Sequence, residues 1–301
     1  MQNRKCGYVA LIGIPNAGKS TLLNTLIESK ISIVTPKPQT TRANIRGITQ
    51  HENTQIIFVD TPGIFNATPR FEKAMVEAAW SGAKDSDITV LVVDAKKGLD
   101  AETLAIAKSL GKTKKPAVFV LNKIDKVKKE TLPALAQALY DIHDFDRSFM
   151  VSALKGDGLK EIISYLAASL PDSEWLYPED EITDASERNI AAEITREQCF
   201  FKLHSELPYG IMVETEKWEE NMVKGQRTIR INQVIVLARE AHKKIILGKK
   251  GEMLKAIGTA ARQKIGYALS ANVQLFLFVK VNENWKEDPA SFAAMGLEYR
   301  K

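Results

Sequence analysis

Gly13-Ile14-Pro15-Asn16-Ala17-Gly18-Lys19-Ser20 spells a phosphate-binding loop of the form G-x-x-x-x-G-K-[ST]. The apolar run Tyr8–Ile12 before it reads as a strand, and the residues from about Lys19 to Glu28 after it read as a helix. Each position has a physical reason. Glycine at both ends lets successive backbone N–H groups turn inward on phosphate oxygens. Lys19 is placed to reach the β- and γ-oxygens, and the Ser20 hydroxyl to hold Mg²⁺. Thr21 follows in the first helical turn, whose positive end faces the same anion. Strand, tight loop and helix together predict a nucleoside triphosphate site in an α/β domain with a doubly wound, mostly parallel sheet.

Three further segments at predicted strand ends narrow the ligand. Asp60-Thr61-Pro62-Gly63 closes the strand Thr54–Val59; an acid there reaches Mg²⁺ through water, and Gly63 lets a backbone N–H swing onto the γ-phosphate. Pro38-Gln39-Thr40-Thr41-Arg42 lies between this segment and the first loop, where a threonine that senses the γ-phosphate is expected. Thr41 is the first choice and Thr40 the alternative. Asn122-Lys123-Ile124-Asp125 follows the strand Ala117–Leu121, on the edge where α/β sheets bind ligands. The Asp125 carboxylate can accept hydrogen bonds from N1–H and the 2-amino group of guanine, whereas adenine offers it an acceptor and no amino group there. GTP is therefore favoured over ATP, the plainer reading of Asp125 being a helix N-cap. Ser152-Ala153-Leu154, after the strand-like Ser148–Val151, adds small residues and a backbone N–H that can approach guanine O6. Lys19, Thr41 and Gly63 are the groups expected to act on the reacting phosphate. Ile64 stands where a water-orienting glutamine occurs in other GTPases, so turnover should be slow.

A length of 301 residues is about twice what one such domain needs, which implies a second. With 45% hydrophobic and 26% charged residues the composition suits packed cores in both halves. No apolar run approaches the ~20 residues of a membrane span, and the short stretch before the first strand leaves no room for a signal peptide. Cys6 and Cys199 read as reduced, structural thiols of a cytoplasmic protein, and the four histidines form no zinc pattern. The alternation of strands and helices continues to about Leu170. Residues 1–171 are assigned to the nucleotide domain, 172–184 to a linker rich in proline and aromatics, 185–283 to a second domain and 284–301 to a helical tail.

In the second domain the order is helix (Ala185–His204), strands (Ile211–Lys217 and Thr228–Leu237), helix, then Gly248-Lys249-Lys250-Gly251, helix (Gly251–Tyr267) and strand (Val273–Val281). This α-β-β-α-GxxG-α-β order resembles the prokaryotic, type II KH domain, an α+β fold whose GxxG loop clamps single-stranded RNA. Bare main chain at Gly248 and Gly251 admits the sugar-phosphate backbone. Lys244, Lys249, Lys250 and Lys255 can meet phosphates. The net charge is only +5, yet Lys224, Arg227, Arg230, Arg239, Lys243, Arg262 and Lys264 join those lysines against only Glu240 and Glu252 in the same span. Such a cluster is the footprint of a polyanion, a solvated face being the bland alternative.

Phosphate loop, switch threonine, DxxG and NKxD in that order resemble the translation-factor branch of P-loop GTPases. With the following KH pattern, essentially the whole chain resembles the Era-type GTPases. That resemblance implies a GTP/GDP switch using Mg²⁺ that binds the 3′ end of 16S ribosomal RNA and helps mature the 30S subunit. It also implies peripheral association with the inner face of the membrane. By position, Gly13 to Thr21 would cradle phosphates, Asn122, Lys123 and Asp125 would read guanine, and Asn16 would coordinate a K⁺ ion, as in relatives that lack the glutamine. A turn-forming role is the other reading of Asn16. A tRNA-modification GTPase, a tandem-GTPase assembly factor and a non-enzymatic scaffold are the rival readings. Nothing in the sequence demands more than a monomer.

Overall fold

The computed structural model describes residues 4–113 and 115–300, which divide into two compact units. The second comprises Ile33–Thr40 and Ala185–Ala294; the first holds the rest of the described chain.

In the first unit β1 (Lys5–Ile12), β2 (Ile45–His51), β3 (Thr54–Asp60), β4 (Ile88–Asp94), β5 (Ala117–Asn122) and β6 (Arg147–Met150) form one sheet in the order β2-β3-β1-β4-β5-β6. Only β2 runs antiparallel, to β3; the other pairs are parallel. Parallel neighbours need crossovers, and α1 (Lys19–Leu26), α2 (Arg70–Asp85), α3 (Ala101–Leu110), α4 (Leu132–Tyr140) and α5 (Leu159–Ser169) supply helices for them. Both faces are thereby covered. This is why β3 and β5 are buried at every position and why Ile56–Val59 and Ala117–Leu121 within them read in sequence as unbroken apolar runs rather than alternating ones.

The stretch expected to be a linker is instead strapped to this unit. The Ser173 N–H donates to the Arg4 carbonyl, Gln55 Oε1 accepts from the Leu176 and Tyr177 N–H groups, and Ile48 N–H donates to the Ile182 carbonyl at 2.9 Å. Thr183 Oγ1 donates to the Arg46 carbonyl at 2.7 Å. Strand β2 lies at the end of the sheet order, so this strap satisfies part of an edge that would otherwise be open to pairing.

The second unit contains α6 (Glu187–Lys202), β7 (Ile211–Val223), β8 (Gln226–Leu237), α7 (Ala241–Leu247), α8 (Glu252–Ala268), β9 (Asn272–Val281) and α9 (Pro289–Ala294). Ser186 caps α6, its side chain accepting from the Asn189 N–H. Strand β8 pairs antiparallel with β7 and parallel with β9. The β7–β8 hairpin outruns its sequence signal, continuing past Lys217 to Val223 and starting back at Gln226. Its outer arm is exposed on both faces, so no alternation marks it there. Ile246 from α7, Ile257 from α8, Ile235 and Leu237 from β8 and Cys199 from α6 form the central packing. Burial pushes the Cys199 thiol up to about 12, consistent with an inert structural cysteine. The expected tail is only partly helical: a short turn at Trp285–Glu287 and α9 belong to the second unit, and the residues after Ala294 cluster with the first. Among the described residues no helix is long and apolar enough to cross a membrane.

Candidate nucleotide site and RNA-binding loop

The loop after β1 is held in a shape only glycine allows at its ends. Gly13 has φ +149° and a Cβ there would lie 2.4 Å from the Val92 carbonyl oxygen; Gly18 has φ +100° and its Cβ would lie 2.3 Å from Asn122 Nδ2. Asn16, between them, is also left-handed at φ +63°, a conformation asparagine tolerates better than most residues. Ile14 and Ala17 are buried, Pro15 is half-buried, and α1 begins directly at Lys19. The Lys19 ammonium donates to the Gly13 and Ile14 carbonyls, both at 3.1 Å. Burial pulls its pKa down to about 8, against the opposing pull of the Asp60 charge. Thr21 follows half-buried in α1.

Asp60, at the end of β3, collects three hydroxyls on one carboxylate oxygen. Ser20 Oγ donates to Oδ2 at 2.7 Å, Ser32 Oγ at 2.9 Å and Thr41 Oγ1 at 3.2 Å, with the Ser20 and Thr41 oxygens 2.9 Å apart. Its other oxygen, Oδ1, is buried with no hydrogen-bond partner. Burial raises the Asp60 pKa, opposed chiefly by the Lys19 charge and then by the three hydroxyls. An orphaned carboxylate oxygen beside two hydroxyls is the donor set of a hard, oxygen-loving cation, so Ser20, Thr41 and Asp60 fit Mg²⁺. Of the two candidate threonines, the structure brings Thr41 to this cluster. Thr61 Oγ1 donates to the Leu11 carbonyl at 2.8 Å, and Ile64 N–H donates to the Gly13 carbonyl at 3.0 Å. Pro62, Gly63 and Ile64 are buried, and a Cβ on Gly63 would meet Pro15 at 2.7 Å. The DxxG segment therefore runs hard against the phosphate loop.

Asn122 ties the loops after β5 and β6 to the phosphate loop. Its Nδ2 donates to the Ala17 carbonyl at 2.9 Å, and its Oδ1 accepts the N–H groups of Lys123 at 2.8 Å and Ala153 at 3.0 Å. The Lys123 ammonium donates to the Asn16 carbonyl at 2.6 Å and pairs with Asp94 at 2.5 Å. Asp125 accepts from Ser152 Oγ at 2.7 Å, and that hydrogen bond is the main reason its pKa lies below the ordinary value. Leu154 is 73% exposed. The sequence reading missed Ser32 and Asp94. Asp94 carries a signal, since it ends β4 as Asp60 ends β3; Ser32 sits in a loop with none.

The Gly248–Gly251 loop is the opposite kind of site. Gly248, Lys250 and Gly251 all have positive φ, at +70°, +52° and +80°. A Cβ on Gly248 would lie 2.8 Å from the Met253 backbone nitrogen, while one on Gly251 would meet nothing within 4 Å. Lys244, Lys249, Lys250 and Lys255 are exposed around it. The wider basic cluster is less free than its sequence suggests. Arg227 is bonded to Glu187 at 2.7 Å and Glu220 at 2.8 Å, and Lys264 to Glu197 at 3.1 Å. Those acids come from α6 and β7, so counting charges within the span could not find them.

A P-loop site with DxxG and NKxD segments at its strand ends in one unit and a GxxG loop between two helices of an α-β-β-α-α-β fold in the other define a GTPase with an appended KH module. Residues 8–123 match the family described as 50S ribosome-binding GTPase, and residues 206–286 match the KH domain family. The chain is 54% identical to the GTPase Era of Mesorhizobium japonicum, over 97% of this chain and 94% of that protein. It is 52% identical to the GTPase Era of Rhizobium meliloti, over 99% and 94%. Two solved structures superpose with a TM-score of 0.92, each over 97% of this chain and 99% of theirs. One is an Aquifex aeolicus Era variant bound to GDP and AlF4⁻, 37% identical, and the other is Era with MgGDPNP and nucleotides 1506–1542 of 16S ribosomal RNA, 38% identical. The chain belongs to the Era family of GTPases, and it binds and hydrolyses GTP.

Proposed function

We propose that this GTPase switches its hold on the 3′ end of 16S ribosomal RNA with its nucleotide state, and so acts in maturation of the 30S subunit. The observation that carries the reading is the full-length match to Era solved with a GTP analogue and that RNA segment. The Ser20–Thr41–Asp60 cluster supports it, because it joins the phosphate loop to the switch threonine.

On this reading GTP phosphates replace the Gly13 and Ile14 carbonyls as partners of Lys19, and the loop N–H groups close on them. Ser20, Thr41 and Asp60 would hold Mg²⁺, which when bound would neutralise charge on the phosphate oxygens. Gly63 presents its N–H to the γ-phosphate. Asp125 accepts from the guanine edge, Ala153 approaches O6, and Asn122 and Lys123 fix the loops that carry them. The apolar side chain of Ile64 can hydrogen-bond no water, so the unassisted rate is slow. Asn16, turned left-handed at the loop tip, is the residue that would hold K⁺; equal rates in matched K⁺ and Na⁺ buffers would refute that role. Gly248, Gly251 and the exposed Lys244, Lys249, Lys250 and Lys255 take the RNA backbone. By linkage, RNA must favour the nucleotide state that binds it better. The working place is the cytoplasm; peripheral contact with the inner membrane is tested by co-sedimentation with anionic vesicles.

The decisive experiment is GTP hydrolysis with and without a single-stranded RNA matching the 3′ end of 16S ribosomal RNA, with Gly251→Asp as control. Stimulation that vanishes in the control is expected. Absence of both binding and stimulation would leave a GTPase whose KH module has another ligand.

A further inference from the structure

Residues Ile33–Thr40, which precede the switch threonine in the chain, fold as part of the second unit. They form no helix or strand, and three of their polar groups bond to α6 and the residue that ends it. Val34 N–H donates to Glu197 Oε1 at 3.2 Å. The Lys37 ammonium donates to the Phe200 carbonyl at 2.5 Å and to the Leu203 carbonyl. Both carbonyls lie at the C-terminal end of α6, where backbone acceptors lack helical partners and a cation is favoured by the dipole. Arg196, 2% exposed, donates through Nη2 to the Thr40 carbonyl at 2.5 Å. Its Nε donates to Glu193 at 2.7 Å, its Cζ lies 5.5 Å from the Phe200 ring centroid, and Nη1 is buried without a partner.

The Thr40 carbonyl belongs to the peptide bond whose nitrogen is that of Thr41. That bond is planar, so fixing its oxygen limits the orientation from which Thr41 departs. A buried guanidinium left with an unsatisfied N–H is costly, and such a cost persists where it serves a function. Glu197, fully buried, takes Val34 on one oxygen and Lys264 of α8 on the other. Helix α8 starts at the residue after Gly251. One pair of adjacent α6 residues thus grips the switch segment and, through Lys264, the helix that carries the RNA loop.

We infer that Arg196, with Lys37 as a second anchor, is a positioning residue for GTP hydrolysis. It holds the Thr40–Thr41 peptide by its carbonyl oxygen, and it passes the state of α6 and α8 to that peptide. The inference rests on the proposed switching between nucleotide and RNA and names the residues that carry it.

The test uses the full-length protein and four variants: Arg196→Met, Arg196→Lys, Lys37→Met and Lys37→Arg. GTP turnover is measured as kcat and KM, and affinity for the 16S 3′-end RNA is measured with GDP and with a non-hydrolysable GTP analogue. Arg196→Met and Lys37→Met are expected to lower kcat by roughly ten- to a hundredfold with KM within about twofold, as misplacement remote from the reacting atoms does. The ratio of RNA affinities in the two states should move toward one. Lys37→Arg should restore both readouts; Arg196→Lys, which cannot copy the planar fork, should restore them only in part. A merely structural role would lower stability and leave kcat per folded molecule and the affinity ratio unchanged, and that result would overturn the inference. Lys37 is only half-buried, so its variants decide the matter if Arg196→Met fails to fold. A wild-type ratio of one would refute the proposed switching itself, while kcat in the Lys37 pair would still judge the positioning role.

Discussion

The two binding sites of this chain are built on contrary principles. In the nucleotide site almost every polar side chain already has a partner: Lys19 on two carbonyls, Asn122 on three backbone groups, Asp60 on three hydroxyls. The GxxG loop is bare, with two glycines, a left-handed lysine and exposed ammonium groups. A small, highly charged ligand with one base is recognised by preorganised dipoles in a dry pocket, which cost little to reorganise when charge develops. A polymer that must slide in and out needs backbone access and long-range attraction instead. Substitutions should therefore fail differently in the two places.

The largest effect is expected at Lys19. Lys19→Ala removes the buried ammonium held on the Gly13 and Ile14 carbonyls of the phosphate loop and should reduce single-turnover GTP hydrolysis by ~10²–10³-fold or more. Affinity of the nucleotide-free protein for RNA should stay within about twofold, because the partners of the lysine are the Gly13 and Ile14 carbonyls of its own unit. Hydrolysis retained within tenfold would mean that the loop does not act on phosphate.

Next comes Asn122→Ala, which breaks the preorganised side of the contrast. It strands the Ala17 carbonyl and the Lys123 and Ala153 N–H groups, at roughly 1–3 kcal/mol for each group that water cannot reach. The expected result is a drop of about 2–4 kcal/mol in the stability of the first unit, read from the urea midpoint with GDP absent, alongside weakened GDP binding. An unchanged midpoint would show that water replaces the asparagine without loss.

How much of this was legible in the sequence follows the same contrast. The α/β and KH folds, the phosphate loop, DxxG, NKxD and GxxG were readable because each depends on residue types at fixed local spacing. Partners that meet only through the fold were not. Ser32 on Asp60 lies 28 positions away, the acids that neutralise Arg227 and Lys264 come from other elements, and the proline-aromatic stretch after Leu170 looked like a linker although its backbone pairs with β2. Periodicity failed for the outer β7–β8 hairpin for a related reason: a ribbon exposed on both faces has no buried side to mark. Ile33–Thr40 gave no sign of belonging with α6, since two of its anchors, the Val34 N–H and the Thr40 carbonyl, are backbone groups that any sequence possesses, and Lys37 meets backbone carbonyls that leave no mark in sequence.

A smaller effect separates the two glycines of the RNA loop. Gly248→Ala would push a methyl to within 2.8 Å of the Met253 backbone, whereas Gly251→Ala points into open space and pays only for its positive φ, about 1–2 kcal/mol. Gly248→Ala should thus speed amide hydrogen exchange in the first turns of α8, and Gly251→Ala should leave it nearly unchanged. Equal exchange in the two variants would mean that the loop yields freely and that Gly248 is present for RNA access alone.

The smallest effect tests whether exposed charge in the second unit is equivalent wherever it lies. Lys249 stands on the loop, exposed, while Lys264 is bonded to the buried Glu197 and lies 5.2 Å from the Phe201 ring centroid. Each phosphate neutralised by a lysine releases counterions, so removing one such contact lowers the slope of log affinity against log salt by about 0.7 for a single strand. Lys249→Ala should show that decrease with a few-fold loss of affinity at moderate salt. Lys264→Ala should leave the slope unchanged, because its charge is already spent on a carboxylate, and should instead lower stability by uncovering Glu197. If both substitutions reduce the slope equally, Lys264 must leave Glu197 when RNA binds. The contrast would then have to be redrawn: one of the second unit's internal ion pairs would be part of its RNA surface.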